Sequence, residues 1–140
     1  MASAADTDAA RDRFLRTIEG FVDALKVKFQ NDADALERVT TADRRFRMVV
    51  VNVCEKMKDA VARSFVDRFH REMSPLYVRI MQGDESFVAD IHNNMFHDMG
   101  FDALFQQSSP KTKVVMVRHI QAICTSAERY LAQCAASAAN

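Results

Sequence analysis

Tryptophan is absent from this chain, glycine occurs three times and proline twice in 140 residues. Chains that turn often need more of both glycine and proline, so few and long elements are expected. Charge of one sign is not in excess either: 19 basic residues stand against 19 acidic ones. A general phosphate-binding surface calls for a clear basic surplus, and the overall balance argues against one. No uninterrupted apolar run approaches the roughly 20 residues that a membrane-spanning helix requires. Cys54, Cys124 and Cys134 include no CxxC pair. Each lies in an apolar stretch with helical spacing, and the three read as reduced thiols acting as small core hydrophobes. The opening Met1-Ala2-Ser3-Ala4-Ala5-Asp6 has neither the basic region nor the apolar core of a secretory leader. An intracellular, soluble protein is the expectation.

The familiar chemical motifs are missing as well. No glycine-rich loop follows a strand-like run, which excludes Rossmann and P-loop nucleotide sites. His70-Arg71-Glu72 departs from HExxH in the place of its glutamate and lacks the second histidine. The densest polar cluster, Asp90-Ile91-His92-Asn93-Asn94-Met95-Phe96-His97-Asp98, sets its histidines five apart. Metal-binding helices use spacings of three or four, so the cluster reads as a solvated helix face. His119 reads as a boundary residue beside an apolar stripe. No catalytic residue, metal ligand or cofactor is assigned.

What is present is helical periodicity over a normal core supply: 49% of the residues are hydrophobic and 27% charged, the balance of a globular domain. Phe14, Ile18, Phe21, Leu25 and Phe29 recur at steps of four, three, four and four, one apolar stripe of a helix over 8–29. Gly20 lies inside it, where another helix could approach closely. A short helical turn is expected around Ala35, Leu36 and Val39. Thr40 and Asp43 form an [ST]xx[DE] start signal for a long helix over 41–73, with Phe46, Val50, Val53, Met57, Val61, Phe65 and Phe69 as its stripe. The β-branched runs at 49–53 and 114–117 also carry a strand signal. Charged flanks, absent turn residues and the continuing period favour helix for both. Ser74-Pro75 starts a short helix. A helix from Asp84 to Met99 follows, and Gly100 is placed to end it in the left-handed conformation. Phe101, Leu104 and Phe105 make an apolar plug. Ser109-Pro110 opens a last helix reaching about Leu131. The prediction is all-α: one domain over 1–140, a bundle of four main helices with one or two short connectors, the 41–73 helix central, and tails at 1–7 and 133–140.

Charge is unevenly spread along the chain. Residues 74–109 carry Arg79 against five acids, net −4, and residues 110–140 carry four cations against Glu128, net +3. In 41–73, eight basic residues meet five acidic ones, net +3. Arg44, Arg45, Arg47, Lys56 and Lys58 form the basic face that a nucleic acid would use. The interleaved acids suit ion pairs within a helix instead.

Three pieces of the chain resemble small helical proteins of unknown function from large nucleocytoplasmic DNA viruses. They are Phe14-Leu15 with Ile18, Phe21 and Leu25; Gly100-Phe101-Asp102 with Leu104; and Lys111-Thr112-Lys113 leading to Ile120-Gln121-Ala122-Ile123. The resemblance covers the first and last thirds and leaves the middle helix unaccounted for. It implies a viral accessory or virion-associated protein and transfers no site residues. Apolar supply points the same way. Phe29, Val49, Phe65, Phe69, Phe96 and Phe105 exceed what one small bundle is expected to bury, and a surplus forms an exposed patch for a partner. The functional expectation is a non-enzymatic interaction or structural protein acting through protein–protein contacts or self-association, with Phe65, Phe69, Phe96 and Phe105 as its patch. The alternative is a nucleic-acid-associated protein using the basic face of 41–73.

Overall fold

The computed structural model describes residues 3–138. Seven α-helices and no strand occur among them: α1 (Ala4–Lys28), α2 (Ala33–Phe46), α3 (Glu55–Met73), α4 (Tyr77–Gln82), α5 (Asn94–Asp98), α6 (Phe101–Gln106) and α7 (Pro110–Ala138). The fold is all-α, with four long helices and three short ones. Every helix contributes to one contiguous apolar core. Its centre is a chain of aromatic contacts: Phe14 meets Phe69 with ring centroids 5.7 Å apart, Phe69 meets Phe96 at 6.4 Å, and Phe96 meets Phe101 at 5.3 Å.

Helix α1 buries the predicted stripe of Phe14, Ile18, Phe21 and Leu25. It begins earlier than the stripe suggests. Ser3 and Asp6 exchange side-chain-to-backbone hydrogen bonds across the first turn, a capping box that satisfies two otherwise unpaired amides. Residues 4–7, expected as a tail, are therefore helical, and α7 likewise runs past the expected end to Ala138.

The middle of the chain departs most from expectation. Asp32, not Thr40, is the N-cap that opens the second helix; its carboxylate accepts from the Ala35 amide at 3.2 Å. Thr40 stays inside α2 because the buried series Ala35, Val39, Ala42 and Phe46 runs straight through it. The Asp43 carboxylate is taken by Lys26 at 2.7 Å and by Arg47 at 3.1 Å. The single helix over 41–73 does not form. Arg47–Val51 is a π turn, in which the Asn52 amide reaches back to the Arg47 carbonyl at 2.7 Å. Asn52 and Val53 then bend the chain, and Cys54 is extended. Valines with stiff χ1 angles weaken an α-helix, and the i→i−5 bond of a π turn adds a residue to its period. The apolar phase accordingly slips. Past the break the buried positions are Ala62, Val66, Phe69 and Met73, whereas Met57 is exposed and Val61 and Phe65 are half-buried. The 114–117 run, by contrast, lies well inside α7.

The expected helix over 84–99 is also divided. Glu85–Asp90 is a 3-10 segment, residues 91–93 are not helical, and Asn93 starts α5 by accepting from the Met95 amide at 3.0 Å. The other side of the Asn93 amide donates to Glu72 at 2.9 Å. Asp and Asn side chains that bond nearby backbone compete with a continuing helix in this way. Gly83 and Gly100 take φ of 72° and 63°, the left-handed conformation that spares only glycine a steric penalty. No helix among the described residues is long and apolar enough to cross a membrane.

Candidate interaction groove on helices α1 and α7

Helices α1 and α7 pack against each other along most of their length, and two hydroxyl pairs fix their register. Thr17 Oγ1 meets Ser126 Oγ at 3.0 Å, and Thr7 Oγ1 meets Ser137 Oγ at 2.8 Å. Rising numbers on one helix pair with falling numbers on the other, so the two are antiparallel. Residues 109 positions apart in the chain thus become neighbours.

That register aligns two outward stripes. On α1, Ala9, Arg13, Arg16, Gly20, Asp23 and Val27 recur at alternating steps of four and three. On α7, Lys111, Val115, Arg118, Ala122, Thr125, Arg129, Ala132 and Ala136 do the same. Every one of these residues is exposed, because this spacing places them on the faces opposite the core. The strip of surface between the two stripes, the α1/α7 groove, is hollowed towards its two ends. At one end it deepens into a hollow of about 660 Å³ whose walls include Phe21, Ala24, Val27, Val115, Met116 and His119. At the other end a hollow of about 420 Å³ lies between Ala9, Ala10 and Arg13 on α1 and Ser126, Arg129 and Gln133 on α7. The Oε1 of Gln133 is shielded there and accepts no hydrogen bond among the described residues. Gly20 lies between the two hollows, and a Cβ built on it meets nothing within 4 Å. The close helix approach expected at Gly20 is not made by any helix among the described residues.

The electrostatics of the groove are one-sided. The stripes carry Arg13, Arg16, Lys111, Arg118 and Arg129 against Asp23 alone, and Lys28 and Asp6 stand at the two hollows. None of the six cations has an ion-pair partner among the described residues. Of the two acids, Asp6 is engaged in the capping box with Ser3, while Asp23 has no ion-pair partner among the described residues. His119 lies half-buried with its ring 5.6 Å from Phe21, and burial lowers its pKa.

The positions singled out from the sequence behave differently. Phe69, Phe96 and Phe105 are core residues, each no more than 2% exposed. The apolar surplus expected of them is absorbed because the short helices α5 and α6 fold back and give the rings a common interior. Phe29 is buried too. Phe65 is half-buried beside exposed Val49, in a hollow at the π turn. Arg68 of that hollow bonds Glu72 at 2.8 Å, and in the adjoining hollow, which Val49 and Phe65 also line, Arg45 bonds Asp98 at 2.6 Å.

The basic cluster is dispersed by the same break. Arg44, Arg45 and Arg47 belong to the end of α2 and the π turn, and Lys56 and Lys58 to α3. Arg45 and Arg47 are ion-paired, so the five do not form the one basic helix face expected over 41–73. Cys54 is corrected as well. The break puts it at the exposed N-cap of α3, while Cys124 and Cys134 are buried. In the His/Asp cluster, Asp90 pairs with Arg79 at 2.8 Å. No three His, Cys, Asp or Glu side chains converge as metal ligands do among the described residues.

The groove was missed from the sequence because each stripe, taken alone, is an ordinary solvated face. Two signals pointed to it: a glycine in mid-helix, and the net positive charge after residue 110. No protein-family model, curated protein or solved structure matches the chain.

Proposed function

We propose that this chain is a non-enzymatic interaction module that binds a protein partner by seating one of its helices in the α1/α7 groove. The observation that carries the reading is the exposed apolar hollow. Val27 is 67% exposed and Val115 43% exposed, on opposite walls of a 660 Å³ recess whose deeper wall includes Phe21 and Met116. Contiguous apolar surface rimmed by charge is what a partner covers. The small residues Gly20 and Ala122 leave room beside it for a helix at the usual interaxial distance of about 8–10 Å. A second copy of the chain is the other occupant of the same class, and a viral accessory role is the setting that the resemblance implies.

The test is affinity capture from the native host with two baits, the unaltered chain and a Gly20→Trp/Ala122→Trp variant whose bulky side chains fill the groove. Both substitutions lie at exposed helical positions, so circular dichroism and Tm should match. The expected outcome is a specific co-purifying protein, or self-association by light scattering, that the variant loses. Recovery of the same proteins by both baits, or of none by either, would sink the proposal.

A further inference from the structure

We infer that the occupant of the α1/α7 groove is an acidic amphipathic helix of another protein, about 18 residues long, with a large apolar anchor at one end. This rests on the interaction reading above and adds the chemistry of the partner. Length follows from the groove itself. Its stripe on α1 runs from Ala9 to Val27, and 18 steps at the rise of about 1.5 Å per residue give roughly 27 Å, five helical turns. The apolar anchor follows from the asymmetry of the two hollows. The one beneath Val27 and Val115 is walled by Phe21, Leu25 and Met116 and suits a Leu, Met or Phe side chain. The one at the far end is flanked by Arg13 and Arg129 and includes the shielded Gln133. Its two guanidinium groups suit a carboxylate.

Acidity follows from the rim. Arg13, Arg16, Lys28, Lys111, Arg118 and Arg129 stand along both sides without internal partners among the described residues. Elsewhere the signs are mixed: Arg63–Asp67, Arg68–Glu72 and Arg79–Asp90 pair, while Arg38, Arg44, Lys56, Lys58, Arg71 and Lys113 have no ion-pair partner among the described residues. What sets the groove apart is six cations against only Asp6 and Asp23. Complementary potentials across an interface set partner choice and orientation and speed encounter. A helix with Asp or Glu on both flanks of a narrow apolar seam meets this rim on both sides, whereas a basic one is repelled by it. The acidic elements of this chain do not fit as the occupant in a second copy. Its excess of acids lies between residues 84 and 102, in α5, α6 and the 3-10 segment, none longer than six residues. Nucleic acid would match the charge but leaves the apolar hollow unfilled.

The experiment titrates the full chain against three fluorescent probes, read by anisotropy at low and moderate salt. Two are 20-residue peptides with the same Leu/Ala seam, one flanked by glutamates and one by lysines. The third is a short DNA, tested both single-stranded and duplex. The glutamate peptide should bind at least about tenfold more tightly than the lysine peptide, and Arg13→Glu/Arg129→Glu should weaken it by a similar factor. Equal binding of the two peptides, indifference of the glutamate peptide to the Arg variant, or DNA as the tightest ligand would overturn the inference. Failure of the general reading is separable. If no acidic peptide binds while the Gly20→Trp/Ala122→Trp bait still loses its native partner, the groove is an interaction site of other chemistry. If that bait loses nothing, the groove reading fails with it.

Discussion

Replacing Gly20 by alanine should make this protein more stable. Glycine inside a helix is disfavoured relative to alanine by roughly 0.8–1.0 kcal/mol, because its backbone has more freedom to lose. That gain is normally offset where a methyl group would strike something. Here the position is exposed, and a Cβ meets no atom within 4 Å. The stabilisation should therefore be nearly complete, about 0.5–1 kcal/mol. Unfolding entropy of about 2.1 cal/mol/K per residue over 140 residues amounts to about 0.3 kcal/mol/K, so Tm should rise by about 2–3 °C. Urea unfolding followed by circular dichroism, with an unchanged m-value, measures this directly. A loss of 1 kcal/mol or more would refute the reasoning, because it would mean that Gly20 is already covered. If that loss grew with protein concentration, the cover would be a second copy of the chain.

The other two glycines should respond with the opposite sign. Gly100→Ala and Gly83→Ala force a Cβ into the left-handed region and should each cost about 1–2 kcal/mol, Gly100 somewhat more, because its Cβ would lie 3.3 Å from Arg38 Nε; stabilisation by either, in the same urea assay, would contradict the turn geometry. Phe69→Ala empties the centre of the aromatic chain and should cost about 3–5 kcal/mol, against less than about 0.5 kcal/mol for Val78→Ala, which is 70% exposed; similar costs would mean that the core is misplaced. One thiol in three should react promptly with a thiol reagent in the native state, since Cys54 is exposed, Cys134 is buried, and burial pushes the Cys124 thiol up to about 12; two or three prompt thiols would argue against the packing of α7. His119 titrates lower in the folded chain than its usual 6.5 because burial disfavours the imidazolium. The unfolded state then binds more protons, so its contribution to stability is intact above about pH 6.5 and declines as pH falls towards the folded value. His119→Gln should flatten the stability profile in that window, and an unaltered profile would remove His119 as its source.

Much of the fold could be read from periodicity and local punctuation. The Phe14, Ile18, Phe21 and Leu25 stripe, the Ser109-Pro110 start and the left-handed Gly100 each rest on a local rule, and the structure meets all three. The break at 47–54 was not legible, because Phe46 and Val50 keep helical phase right up to it and both are buried. Only the π turn shifts the phase afterwards. Where Asn93 could cap a new helix and bond Glu72, a tertiary partner decided the outcome, and periodicity carries no information about that. The burial of Phe96 and Phe105 depends on the same fold-back of short helices. The groove was the least legible feature. Its cations read as two solvated faces until the hydroxyl pairs at Thr17–Ser126 and Thr7–Ser137 bring them to one surface.

Nuclear magnetic resonance of the ¹⁵N-labelled chain, titrated with the glutamate-flanked helical peptide, tests whether the α1/α7 groove is the partner face. Amide shifts should change most at Gly20, Val27, Val115 and Ala122 and fade towards α3. Changes centred instead on Val49 and Phe65 at the π turn, or no localised change at saturating peptide, would contradict it.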